Sequence, residues 1–190
     1  MDREMILTLV DQVAKTPRHP DHSFPPARYY TFLQLLAEAV QPQVSVELGV
    51  CRGGGSLHLA TGYPEGSVIG VDVENLYPDF IARVGELCPN FDFWWMDSIL
   101  AAKFYKGGNY DPASIGILFI DTVHTSERAL AEYAAWQPFL AQGAVVVLDD
   151  RRRPGMQRVW ETIPGEERIC LDNLHDASCA VDGGFGVILT

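Results

Sequence analysis

The chain has 190 residues, 47% of them hydrophobic, which suits one domain with a proper core. Its 25 acidic residues outnumber 14 lysines and arginines, and the formal net charge of −11 would repel a phosphate backbone, so nucleic acid is not an expected partner. Cys51, Cys88, Cys170 and Cys179 are scattered with no Cys-x-x-Cys pair, the N-terminus has no apolar signal core, and no apolar run approaches the ~20 residues of a membrane span; a soluble cytoplasmic protein with free thiols is expected.

Residues 3–15 carry apolar side chains at Ile6, Leu7, Leu9, Val10 and Val13, a helical spacing. Residues 16–26 hold four prolines and two histidines, His19 and His22, and read as a loop. Together these form an N-terminal segment, residues 1–26, that is either a lid or a plain connector. Helical spacing resumes over residues 27–40 through Tyr30, Phe32, Leu35, Leu36 and Ala39, and Pro42 ends it.

From there short apolar runs alternate with helical stretches, which predicts a parallel sheet wound with crossover helices over residues 27–190. The runs are 44–48, 67–72, 91–96, 115–121, 144–148 and 186–189; the helices are 56–60, 78–87, 126–139 and 155–162. Trp94 and Trp95 are neighbours on one strand and point to opposite faces, with core packing expected for both. The last run follows Gly183 and Gly184 and is expected to pair antiparallel at the end of the sheet.

The segment Val44-Ser45-Val46-Glu47-Leu48-Gly49-Val50-Cys51-Arg52-Gly53-Gly54-Gly55-Ser56 is a strand, an acid, a glycine-rich turn and a helix start. Such a turn lets the backbone approach a ligand and offers amide N–H groups at a helix N-terminus, which suits a nucleotide-type cofactor. The spacing after Gly49 does not fit the dinucleotide fingerprint G-x-G-x-x-G. An acid beside the turn would repel a pyrophosphate and suit an ammonium or hydroxyls.

Glu47-Leu48-Gly49 with Gly53 resembles the first motif of class I S-adenosylmethionine methyltransferases, and Ile69-Gly70-Val71-Asp72 resembles the second. The resemblance implies a Rossmann-like, mostly parallel seven-stranded sheet with helices on both faces and an antiparallel strand near the C-terminus. It also implies S-adenosylmethionine as cofactor, held by Glu47, Gly49, Gly53 and Gly55, with Asp72 on the ribose hydroxyls and Asp97 and Ser98 on the adenine side.

Open α/β sheets bind ligands beyond the carboxyl ends of their strands, and two further runs end in acids there: Phe119-Ile120-Asp121-Thr122-Val123-His124 and Leu148-Asp149-Asp150. Carboxylates from adjacent strands can supply the oxygen ligands of Mg²⁺. The pattern resembles metal-dependent O-methyltransferases of the catechol type, and in wording the group of cephalosporin-hydroxylase-like proteins and sugar O-methyltransferases. It implies Asp121, Asp149 and Asp150 as ligands of Mg²⁺ or another divalent cation, Asp150 standing where the catechol-type enzymes have Asn. His124 lies where those enzymes commonly present a lysine, and a neutral imidazole there is the expected general base, acting beside Asp121.

Plainer readings remain: strand-end acids can be innocent, Asp149 and Asp150 can pair with Arg151, Arg152 and Arg153 at the surface, and His124 can cap the helix near Ser126. The expected activity is methyl transfer to the hydroxyl of a small-molecule acceptor. A non-catalytic adenosylmethionine-binding module and different chemistry on the same cofactor are the alternatives. For an acceptor lid the sequence offers residues 1–26 and a loop at 105–114. The aromatic-rich N-terminal region also suits a homodimer.

Overall fold

In the computed structural model, which describes residues 1–15, 28–108, 110–171 and 183–190, seven strands form one sheet. They are β1 (Val44–Leu48), β2 (Ser67–Asp72), β3 (Phe91–Trp95), β4 (Ile115–Ile120), β5 (Leu140–Asp149), β6 (Glu167–Cys170) and β7 (Phe185–Leu189), in the order β3-β2-β1-β4-β5-β7-β6. Strands β1 to β5 run parallel, and β7 runs antiparallel between β5 and β6. The helices are α1 (Arg3–Lys15), α2 (Arg28–Val40), α3 (Gly54–Gly62), α4 (Pro78–Leu87), α5 (Ser98–Gly107), α6 (Ser126–Trp136) and α7 (Pro154–Thr162).

Both faces of the sheet are covered, which is why β1, β4 and β7 are buried at every position. The pleat divides their side chains between two cores. Ile117, Phe119, Val145 and Val187 pack with Ile6, Leu33, Leu36 and Leu59 from α1, α2 and α3. Val46, Leu48, Leu118 and Ile120 pack with Ala101, Tyr105, Trp136 and Val159 from α5, α6 and α7. The strand order turns back between β1 and β4, and a crevice opens there at the carboxyl ends.

Three details differ from the sequence reading. Residues 98–107 form α5, because the Asp97 carboxylate caps them, accepting from the amides of Ile99 and Leu100 at 3.0 Å each. Tyr105 is therefore a buried core residue, its hydroxyl 2.6 Å from Ser114 Oγ, and not part of a lid loop. Residues 167–170 supply the seventh strand, a short edge that carries no alternating pattern of its own. Trp94 packs in the core, but Trp95 is 67% exposed, its indole N–H donating to the Val73 carbonyl at 3.1 Å.

Helix α1 buries Ile6, Leu9, Val10 and Val13 and packs against α2 and β6; His19, His22 and the prolines around them lie outside the described residues. Cys51, Cys88 and Cys170 are free thiols, and Cys179 also lies outside. Among the described residues no helix is long and apolar enough to cross a membrane.

Candidate active site

The turn after β1 is pinned to the strands on either side. Gly49 has φ +90°, and a Cβ there would lie 2.0 Å from the Asp121 carbonyl oxygen, so only glycine lets this turn pass so close to the end of β4. The Gly49 amide donates to the Val71 carbonyl and the Asp121 amide to the Leu48 carbonyl, both at 2.8 Å. Asp72 secures the loop from the other side: one carboxylate oxygen accepts from the amides of Val50 and Cys51 at 2.9 and 3.0 Å, the other from Glu74 at 2.9 Å. The acid thus stays at the strand tip, with lone pairs left for a ligand.

Gly49, Asp72, Asp97, Ser98 and Asp121 line one cleft of ≈ 590 Å³ at the switch point. Gly53, Gly55 and Glu47 do not line it. Gly53, at φ +80°, seats the start of α3 against Val84, and Gly55 leaves room for Glu47, since a Cβ there would lie 2.1 Å from Glu47 Oε1. Glu47 is buried beneath this helix start and accepts a hydrogen bond from the Ser56 hydroxyl. Burial, with a smaller contribution from Asp72, pushes its pKa up to about 8, so its neutral form prevails at neutral pH. A larger cavity of ≈ 660 Å³, between Arg151, Trp160 and Arg168, contains none of these acids.

At the adjoining strand ends, Asp121, His124 and Asp149 bring donor atoms within 4.8 Å of one another. Burial first, and then Asp121, pushes the Asp149 pKa up to about 8; burial and then Glu47 hold that of Asp121 well above the usual carboxylate range. The two carboxyls stand within 4.8 Å of each other, a proximity that favours one shared proton or one bound cation.

Asp150 is not in this cluster. It has a left-handed backbone at φ 51°, and its Oδ2 lies 2.6 Å from Arg153 Nε and 3.0 Å from His124 Nε2. Gly183 packs on its carboxylate so closely that a Cβ would lie 1.4 Å from Oδ1. His124 Nε2 also stands 3.5 Å from Asp121 Oδ1, at ion-pair distance from both acids yet buried without an aligned hydrogen bond. The cap of α6 is Thr125, not His124.

The sequence reading missed two groups. Tyr30, from α2, lies against Gly54, stacks on His58 at 5.5 Å between ring centroids, and is raised in pKa by burial and then by Asp121, Glu47 and Asp149. Arg128 and Glu132, one helical turn apart on α6, line the cleft beside Ser98. Their i,i+4 spacing resembles that of any solvated helix pair, which hides them in the sequence.

A parallel sheet of this order, a glycine turn after β1 and acids at successive strand tips define a class I methyltransferase fold, as the first two motifs led one to expect. Residues 46–151, more than half of the chain, match the family described as methyltransferase domain, and the chain belongs to that family. Among the solved structures that share the fold are the following three. An O-methyltransferase from Bacillus cereus in complex with SAH is 15% identical, with a TM-score of 0.68 over 100% of this chain and 92% of that one. The O-methyltransferase TomG from Streptomyces achromogenes, involved in tomaymycin synthesis and in complex with SAM, is 18% identical, with a TM-score of 0.66 over 100% and 91%. A methyltransferase from Geobacter sulfurreducens is 18% identical, with a TM-score of 0.65 over 97% and 87%. No curated protein matches the sequence.

Proposed function

We propose that the protein transfers the methyl group of S-adenosylmethionine to a hydroxyl oxygen of a small-molecule acceptor, assisted by a divalent cation at Asp121 and Asp149. The observation that carries this reading is the meeting of Asp121, His124 and Asp149 beside a cleft that Gly49, Asp72 and Asp97 line. Family membership and the cofactor-bound O-methyltransferases of the same fold support it.

Asp72 and the Gly49 turn are the residues to hold the ribose and the amino-acid end of the donor, and Asp97 and Ser98 the base. Glu47 serves from beneath, by fixing Ser56 and the start of α3. Bound there, the donor supplies an electrophilic methyl group on a sulfonium that departs as a neutral thioether.

The donor set fits a cation at Asp121 and Asp149, two carboxylates that resist ionising together, and beside them His124 Nε2, without an aligned hydrogen bond, is left to act on the acceptor's proton. A divalent ion, Mg²⁺ in the first instance, would lower the pKa of an acceptor hydroxyl. His124 takes the hydroxyl proton at Nε2, and Asp150, 3.0 Å away, steadies the resulting imidazolium. Asp150 therefore serves the base and not the cation.

The test is a screen of catecholic and sugar acceptors with labelled S-adenosylmethionine, with Mg²⁺ and with chelator. Methylation that needs the ion is the expected result. Methylation indifferent to chelator would remove the cation from the mechanism, and a donor that gives no heat in calorimetry would remove the whole reading.

A further inference from the structure

Glu132 has no exposed surface, yet its carboxylate is fully engaged. Oε1 accepts from the Ser98 hydroxyl at 2.5 Å and from Arg128 Nε at 2.8 Å; Oε2 accepts from the Thr122 hydroxyl at 2.6 Å. Arg128 spends both protons of Nη2, on Asp97 Oδ2 at 2.7 Å and on Ser98 Oγ at 2.6 Å. Burying such a group brings little net stability compared with a well-packed apolar side chain, so its return lies in what it orients.

A hydroxyl has one proton to give. Those of Ser98 and Thr122 both point at Glu132, which leaves these side chains only lone pairs to turn toward the cleft they line. The Asp97 carboxylate beside them is an acceptor as well. At Ser98, Thr122 and Asp97 the cleft is therefore set to receive a hydrogen-bond donor.

We infer that Glu132 is a positioning residue that fixes the base specificity of the cleft: by holding the Ser98 and Thr122 protons it selects a base that presents an exocyclic amine and rejects one that presents a carbonyl there. This rests on the proposed nucleoside donor. An amine facing these acceptors completes its bonds, whereas a carbonyl faces lone pairs and leaves buried acceptors unsatisfied.

Calorimetry with S-adenosylhomocysteine and with S-inosylhomocysteine, which carries a carbonyl in place of the amine, tests it. The wild-type protein should prefer the adenosyl ligand by about tenfold or more. In Glu132→Gln the side-chain amide must donate, so Thr122 accepts and turns its proton to the cleft. The preference should then fall below about threefold. Adding Thr122→Val removes that new donor and leaves Ser98 and Asp97 as acceptors, so the ratio should rise again toward the wild-type value, which a loss of packing alone would not do. Equal affinity of the wild type for both ligands, or a Glu132→Gln ratio unchanged in a protein that melts as the wild type does, overturns this inference while leaving the donor reading standing. No heat with either ligand overturns both.

Discussion

The buried carboxyl of Glu47 makes stability depend on pH in a way that one substitution isolates. Its pKa is about 8 in the folded chain against 4.5 for the free side chain, so the folded state holds a proton that the unfolded state releases. Folding is then most favoured below the unfolded value, and the advantage is lost as pH rises to about 8, where the folded protein also ionises. Each pKa unit corresponds to about 1.4 kcal/mol, so between pH 5 and pH 9 this carboxyl alone should remove about 4 kcal/mol of stability.

Glu47→Gln keeps the shape and removes the proton equilibrium. Urea unfolding of both proteins across that range, without cation or cofactor, should show the wild type declining more steeply, with the gap widest above pH 8. Asp121 and Asp149 contribute to both curves; Asp121, which Glu47 helps to raise, contributes less in the variant, so its change widens the gap in the same direction. Parallel curves would refute the placement of Glu47 as a neutral acid sealed beneath α3.

Gly55→Ala should lower the melting temperature through a loss of ~1–3 kcal/mol, since its methyl group would collide with Glu47 and Phe119; a thermal scan with no shift would contradict the packing. Asp121→Ala and Asp149→Ala should each abolish turnover while leaving S-adenosylhomocysteine affinity within a few-fold, and loss of cofactor binding in both would instead mark them as donor ligands. Mg²⁺ should raise the melting temperature of the wild type and not that of Asp149→Ala, because only a bound ion stabilises the folded state by mass action. Asp72→Ala should weaken S-adenosylhomocysteine about tenfold or more, since the amides of Val50, Cys51 and Glu74 lose their common acceptor; unchanged affinity would remove Asp72 from the site.

Local pattern carried much of this protein. The apolar runs that became β2 and β4 are legible because a strand covered on both faces is apolar through its middle, and β1 because Val44, Val46 and Leu48 alternate around Ser45 and Glu47. The glycine turn and the strand-tip acids are legible because a parallel sheet places its carboxyl ends together whatever the rest of the chain does. Helix α5 was there to be read as well, from Asp97 at a cap position before Ile99, Ala101 and Ala102, but β6, four residues long, was not.

What tertiary structure alone decided is the direction in which each polar group faces. Glu47, Asp121 and Asp149 all stand near strand ends in the sequence, yet Glu47 is sealed under Gly55 while the other two meet at His124. Asp149 and Asp150 are neighbours, yet a left-handed backbone turns Asp150 to Arg153 and His124. Arg128 and Glu132 look like a surface pair, yet they join the start of α5 and the end of β4 to α6 through Ser98 and Thr122. Sequence periodicity reports which side of an element is apolar; where a carboxylate finds its proton or its partner depends on groups that only the folded chain brings within 3 Å.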